Sequence, residues 1–203
     1  MRTAQDLAAL RSYSVVGNRL TISATDLTEI DDLGELREVG ALYITDNAAL
    51  ASVDGLSGLE TVWGDLLIED NPVLENVDGL GSLREVHGDL TVHSNPSLPD
   101  VDGMSGLESI GAGLFVDENP GLETLEGLVA LTEINTTLFV RSNAGLSRLG
   151  MASLARVGQT LVIRNNSALP RCEVESLVAQ LELEGEFAGS MVVFGNTGDA
   201  ACE

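Results

Sequence analysis

Apolar and polar positions recur along this chain every 24 residues from Leu42 onward. The stretch Leu42-Tyr-Ile44-Thr-Asp-Asn47-Ala-Ala-Leu50 returns as Leu66-Leu-Ile68-Glu-Asp-Asn71-Pro-Val-Leu74. It returns again from Leu90, Leu114, Leu138 and Leu161. A degenerate copy, Leu20-Thr-Ile22, precedes these with Thr25 in the Asn place, and Met191-Val-Val193 begins a last one ending at Asn196. A fixed period of this size predicts a solenoid in which each repeat is one coil. A single coil cannot bury its apolar face, so coils must stack to share a core.

Within a coil, Leu-x-Ile alternates with period two, which predicts a short strand with both aliphatics inward. Apolar residues then fall at every third position, as in Leu50, Val53, Leu56, Leu59 and Val62. Gly55, Gly58 and Gly64 interrupt that run too often for a long helix, so it reads as extended pieces joined by tight corners. Stacked strands then form a parallel sheet along one side.

Two columns mark the corners. Asn47, Asn71, Asn95, Asn119, Asn143, Asn166 and Asn196 supply an amide, with donors and an acceptor for backbone groups that the sheet leaves unpaired. Asp54-Gly55, Asp78-Gly79, Asp102-Gly103 and Glu126-Gly127 are turn signatures. A calcium ladder on these acids is the alternative, but the dense Gly-x-Asp spacing of calcium solenoids is missing.

The Leu-x-Ile-x-x-Asn-x-x-Leu units and the Gly-Leu-x-x-Leu-x-x-Val halves, such as Gly55-Leu56 to Val62, resemble the receptor L domain. That is the ligand-binding solenoid of insulin and epidermal growth factor receptors and of related bacterial surface and fungal cell-wall proteins. The resemblance runs from about Gly17 to Cys202. It implies a right-handed, leucine-rich-repeat-like coil and extracellular recognition rather than catalysis. No cysteine-rich module, transmembrane span or kinase accompanies it, so receptor signalling does not carry over.

The expected fold is therefore a mainly β parallel solenoid, a single domain with short helical caps at both ends. Residues 1–16 form the N-terminal cap, with a short helix over Gln5 to Leu10. Residues 17–171 form the repeats, and 172–203 a C-terminal helix, last strand and disulfide cap. The helix is read from Val174, Leu177, Val178 and Leu181, apolar at helical spacing. Cys172 and Cys202, the only cysteines, are placed to clamp that cap. Closing a loop of roughly 30 residues would stabilise by about 3–4 kcal/mol in the chain-entropy model, and it implies an oxidising compartment.

Charge narrows the partners. Ten arginines, no lysine and 32 carboxylates give a net charge of −22. That disfavours nucleic acid and anionic membrane. The lysine-free, acid-rich composition suggests a bacterial source with a GC-rich genome and a saline habitat. No apolar run reaches membrane-spanning length. Met1 to Arg11 lacks the apolar core of a signal peptide, so the expectation is a secreted or surface chain trimmed of its export signal, or a fragment.

Candidate chemistry lies on the outward strand positions. One column reads Thr21, Tyr43, Leu67, Thr91, Phe115, Phe139, Val162, Val192 and is mostly apolar where a solvated face should be polar. With Phe194, this face takes four of the seven aromatics. The next column reads Ser23, Thr45, Glu69, His93, Asp117, Arg141, Arg164, Phe194. Asp65 and Asp89 precede the strands on the same face, and His87 is expected to be merely solvated at a corner. The predicted binding residues are Tyr43, Leu67, Glu69, His93, Phe115, Asp117, Phe139, Arg141, Val162 and Arg164. They would hold a protein or glycan ligand, with self-association through the apolar stripe as a structural alternative. A carbohydrate-active enzyme using Asp65, Asp89 and the Glu69–His93–Asp117 row is the catalytic alternative. A divalent metal on that row is the other possibility, but charges of opposite sign alternate along the column, which favours a plain surface charge ladder. No cofactor, catalytic residue or metal site is expected.

Overall fold

The computed structural model describes residues 7–31, 33–183, 187 and 189–198. Its strands are β1 (Val15–Ser23), β2 (Glu38–Thr45), β3 (Thr61–Val62), β4 (Leu66–Glu69), β5 (Glu85–Val86), β6 (Leu90–His93), β7 (Ser109–Ile110) and β8 (Leu114–Asp117). They continue as β9 (Glu133–Ile134), β10 (Thr137–Arg141), β11 (Arg156–Val157), β12 (Thr160–Arg164) and β13 (Ser190–Phe194). One α-helix, α1 (Arg171–Leu183), is described in full.

All pairings are parallel, in the order β11-β9-β7-β5-β3-β2-β4-β6-β8-β10-β12-β13, with β1 beside β2. The sequence pattern anticipates one ladder per coil, whereas each coil supplies two. The Leu-x-Ile segments form the long ladder, and two-residue strands such as Thr61–Val62 form a short one. Strand β2 is long enough to join both, pairing Glu38–Val39 with β3 and Leu42–Thr45 with β4. The second ladder comes from the Leu-x-x-Val half, where the last valine points inward and its neighbours are free to extend.

The core is the stack of inward columns. Leu42 and Ile44, Leu66 and Ile68, and Leu138 and Val140 are all completely buried. Leu50, Val53, Leu56, Leu59 and Val62, the every-third-residue run, also have no exposed surface. Each Asp-Gly corner is a 3₁₀ turn, at Asp54–Leu56, Asp78–Leu80, Asp102–Met104 and Glu126–Leu128. Its backbone entry is fixed by the residue two before, as where Ser52 Oγ accepts from Asp54 N–H at 3.1 Å and Asn76 Oδ1 from Asp78 N–H at 3.3 Å. The glycine is needed for proximity. A Cβ at Gly79, Gly103 or Gly127 would run into the Val53, Val77 or Val101 carbonyl of the coil before.

The asparagine column is a buried ladder. Asn119 Nδ2 donates to Val92 O at 2.9 Å, to Asp117 O at 3.0 Å and to Asn143 Oδ1 at 3.2 Å. Its own Oδ1 accepts from Asn95 N–H at 2.9 Å. Thr25, the substitute in the first coil, donates to Asn47 Oδ1 through its hydroxyl at 2.7 Å. The residue before each member adopts a left-handed backbone: Ala24, Asp46, Asp70, Ser94, Glu118, Ser142 and Asn165 have φ between 50° and 58°. Non-glycine residues rarely sit there. The repeated hydrogen bond to the next coil, such as Glu118 N–H to Arg141 O at 3.1 Å, holds them in place.

The ends differ. At the start, Leu7 and Ala8 are helical and Leu7 is buried, while Gln5 lies outside the described residues. At the finish, α1 interrupts the period, so Asn166 and Asn196 are 30 residues apart yet still joined through Asn166 Nδ2 to Asn196 Oδ1 at 3.2 Å. The helix buries Val174, Leu177 and Leu181. Gln180 Nε2 reaches Leu154 O at 2.6 Å, and Glu173 Oε2 accepts Leu149 N–H at 3.1 Å. All five residues of β13 remain exposed.

Candidate strand-face site

The parallel register aligns the outward columns as the repeat predicts. Tyr43 pairs with Leu67, Leu67 with Thr91, Thr91 with Phe115, Phe115 with Phe139, and Phe139 with Val162. These side chains are half-buried, so the stripe is flatter than a fully exposed one, and Thr91 divides Tyr43 and Leu67 from the phenylalanines. Phe115 and Phe139 touch as tilted rings with centroids 6.0 Å apart. At the far edge Val192 and Phe194 are more open, 39% and 51% exposed.

The second column is a charge ladder. His93 Nε2 lies 3.9 Å from Glu69 Oε1, and its Nδ1 lies 3.6 Å from Asp117 Oδ2. Ser94 Oγ sits 3.0 Å from Nε2. Asp117 is gripped by Arg141, with Nε donating to Oδ1 at 2.8 Å and Nη2 to Oδ2 at 2.6 Å. Arg141 also reaches Glu118 Oε1 at 2.9 Å. The hydrogen bond to Asp117 raises the Arg141 guanidinium above its already high ordinary value. The Glu69–His93–Asp117 row is therefore strung out along three strands. Among the described residues, no three His, Cys, Asp or Glu side chains converge as metal ligands would.

Asp65 and Asp89 are committed to the backbone. Asp65 Oδ1 accepts Asp89 N–H at 3.0 Å and its Oδ2 accepts the Tyr43 hydroxyl at 3.2 Å, while Asp89 Oδ1 accepts Gly113 N–H at 2.7 Å. They tie adjacent coils together at the entrance to each strand.

His87 differs from expectation. Its ring stacks on Trp63, with centroids 4.6 Å apart and planes within 7°, and its Nε2 lies 3.2 Å from Glu85 Oε2. Trp63, 57% exposed, donates Nε1–H to Glu38 Oε2 at 2.8 Å. The pair sits where the short ladder turns into the long one. The spacing of 24 between Trp63 and His87 signals this stack, once the coil is drawn with both ladders.

Arg164 stands apart from its neighbours. Its guanidinium carbon lies 5.9 Å from the Phe139 ring centroid and 5.7 Å from that of Phe194. Its Nε is buried and has no hydrogen-bond partner.

Cys172 lies in the first turn of α1, and Cys202 lies outside the described residues. Among the described residues no helix is long and apolar enough to cross a membrane. No protein-family model, curated protein or solved structure matches the chain.

Proposed function

We propose that this protein is a non-catalytic recognition module of the receptor L type, secreted or displayed on a cell surface, that holds a protein or glycan ligand on its long-ladder face. The observation that carries this reading is the half-buried apolar row from Tyr43 to Val162, flanked on one side by Asp65, Asp89 and Thr137 and on the other by Glu69, His93, Asp117 and Arg141. An apolar strip between two polar rails supplies both contact area and hydrogen-bond direction. The carbohydrate-active alternative is less well supported. A general acid must hold a proton near neutral pH, and both oxygens of Asp117 accept from Arg141. Of the three remaining carboxylates, Asp65 and Asp89 accept backbone amides, and Glu69 faces His93 Nε2 at 3.9 Å. Arrayed glycans and surface proteins incubated with the purified chain should retain it, with no reducing ends released. Release of reducing sugar in step with binding would reverse the assignment.

The same reading includes a Cys172–Cys202 bridge formed in an oxidising compartment. It is supported by the place of Cys172 at the base of the capping helix. Titration of denatured, unreduced protein should find no free thiol, and two titratable thiols would remove the bridge and the compartment with it.

Association between copies is a second reading, favoured by the end of the stack. Met191 and Val193 continue the core columns of Leu161 and Ile163 yet are 40% and 39% exposed. An open strand edge of this kind templates pairing. Sedimentation velocity over a hundredfold concentration range should then show a rising mass, whereas a constant monomer mass would exclude it.

A further inference from the structure

Residues 134–172 contain five arginines and no aspartate or glutamate, in a chain with ten arginines and 32 carboxylates overall. The last coils are thus a cationic band on an acidic protein. Arg141 meets Asp117, Arg148 lies 3.3 Å from Glu126, Arg156 lies 3.6 Å from Glu133, and Arg171 meets Glu175 at 2.6 Å. Each of these four borrows its carboxylate from outside the band. Arg164 alone among the five has no carboxylate partner among the described residues. It is held instead between two aromatic rings, with a buried Nε–H and no acceptor for it.

A guanidinium held near two aromatic rings is restrained and only weakly hydrated, which suits it to recognition of an oxyanion. A buried donor without an acceptor is costly to leave unmade. The Nε–H is closed to solvent, so an incoming oxyanion meets the terminal Nη groups of this half-buried side chain and gains Nε only as the side chain turns outward. Resting on the reading of the strand face as a binding surface, we propose that Arg164 anchors an acidic sugar, through a uronate carboxylate or a sulfate ester. The sugar ring packs against Val162 and the adjoining phenylalanines. A saccharide is favoured over an acidic peptide for two reasons. The strands on either side of Arg164 begin with hydroxyls, Thr137, Thr160 and Ser190, that a chain of sugar rings running along the strand direction can meet, and the carboxylates nearest to it, Asp117 and Glu118, are held by Arg141. Backbone amides inside the ladder are already paired, so away from the open β13 edge a peptide main chain finds no donors on this face.

The test is calorimetric titration, with nitrogen-15 spectra of the arginine Nε–H signals, using four probes. These are a glucuronate tetramer, its neutral methyl ester, a sulfated galactose tetramer and tetraglutamate. The glucuronate or the sulfated sugar should bind and move the Arg164 Nε–H signal, and whichever does so identifies the oxyanion. The neutral ester should bind at least tenfold more weakly. R164Q should lower acidic-sugar affinity at least tenfold and R164K should recover only part of it, while R148Q, an exposed arginine of the same band, should not change it. Melting curves confirm that each variant is folded. The inference is overturned if the ester binds as well as the acid, if R164Q has no effect, if R148Q costs as much as R164Q, or if tetraglutamate binds as tightly as the sugars. A neutral ester that binds fully and perturbs Phe115 and Phe139 would overturn the Arg164 anchor and leave the strand-face reading standing. Binding that perturbs no strand-face residue would overturn both.

Discussion

Each buried asparagine of the ladder is bonded to three coils at once, and that decides what its loss costs. Replacing Asn119 by alanine strands the buried Asn95 N–H and removes a side-chain donor from the Val92 and Asp117 carbonyls and from Asn143 Oδ1. An orphaned buried group costs about 1–3 kcal/mol, so Asn119→Ala should lower stability by about 3 kcal/mol or more in urea titration. A loss below about 1 kcal/mol would mean that water replaces the amide. The acidic corners behave differently. Partial desolvation, then the neighbouring Asp100, Asp78 and Glu126 carboxylates, raise Asp102 above its ordinary value. The folded chain therefore holds this proton more tightly than the unfolded chain, and the group's contribution to stability falls as pH rises from the ordinary carboxylate value through the raised one. Asp102→Asn should accordingly stabilise at pH 7, by no more than about 0.5 kcal/mol for a surface position. The gain should vanish below pH 3, and a gain that is the same at both pH values would refute the linkage.

At the level of the element, the strands of the long ladder were readable because Leu-x-Ile has a period of two and one buried face. Helix α1 was readable because Val174, Leu177 and Leu181 keep helical spacing. The short ladder was not, since two residues such as Thr61–Val62 carry no period of their own and extend only because the neighbouring coil offers a partner. The left-handed column was also hidden, because Ala24 and Glu118 are not residues that advertise positive φ; tertiary hydrogen bonds hold them there. The Asp-Gly pairs were legible as turns, but the demand on glycine proves to be close stacking. Gly103→Ala places a methyl group against the Val77 carbonyl and should cost about 1–3 kcal/mol, the range for overpacking. An unchanged midpoint in urea would show that the coils can move apart.

At the level of the whole molecule, stability and the proposed recognition fall on different surfaces of the same coils. The inward columns and the asparagine ladder hold the stack, and the outward columns carry the proposed ligand. Column membership was legible, since a fixed repeat and a parallel register place Tyr43, Leu67, Phe115, Phe139 and Val162 in one row. Side-chain partners were not. The bidentate Asp117–Arg141 pair, the Trp63–His87 stack and the unpaired Arg164 depend on rotamers that spacing does not determine. The most direct test of the separation is the affinity of a Phe115→Ser, Phe139→Ser double variant for the best ligand found among arrayed glycans and surface proteins, measured beside its thermal midpoint. The account predicts at least a tenfold loss of affinity, since aromatic side chains dominate contact energetics, with a melting temperature within a few degrees of the parent, as surface substitutions usually leave it. Parental affinity in a variant whose midpoint has collapsed would contradict it, because the rings would then serve the stack and the strand face would not be the binding surface.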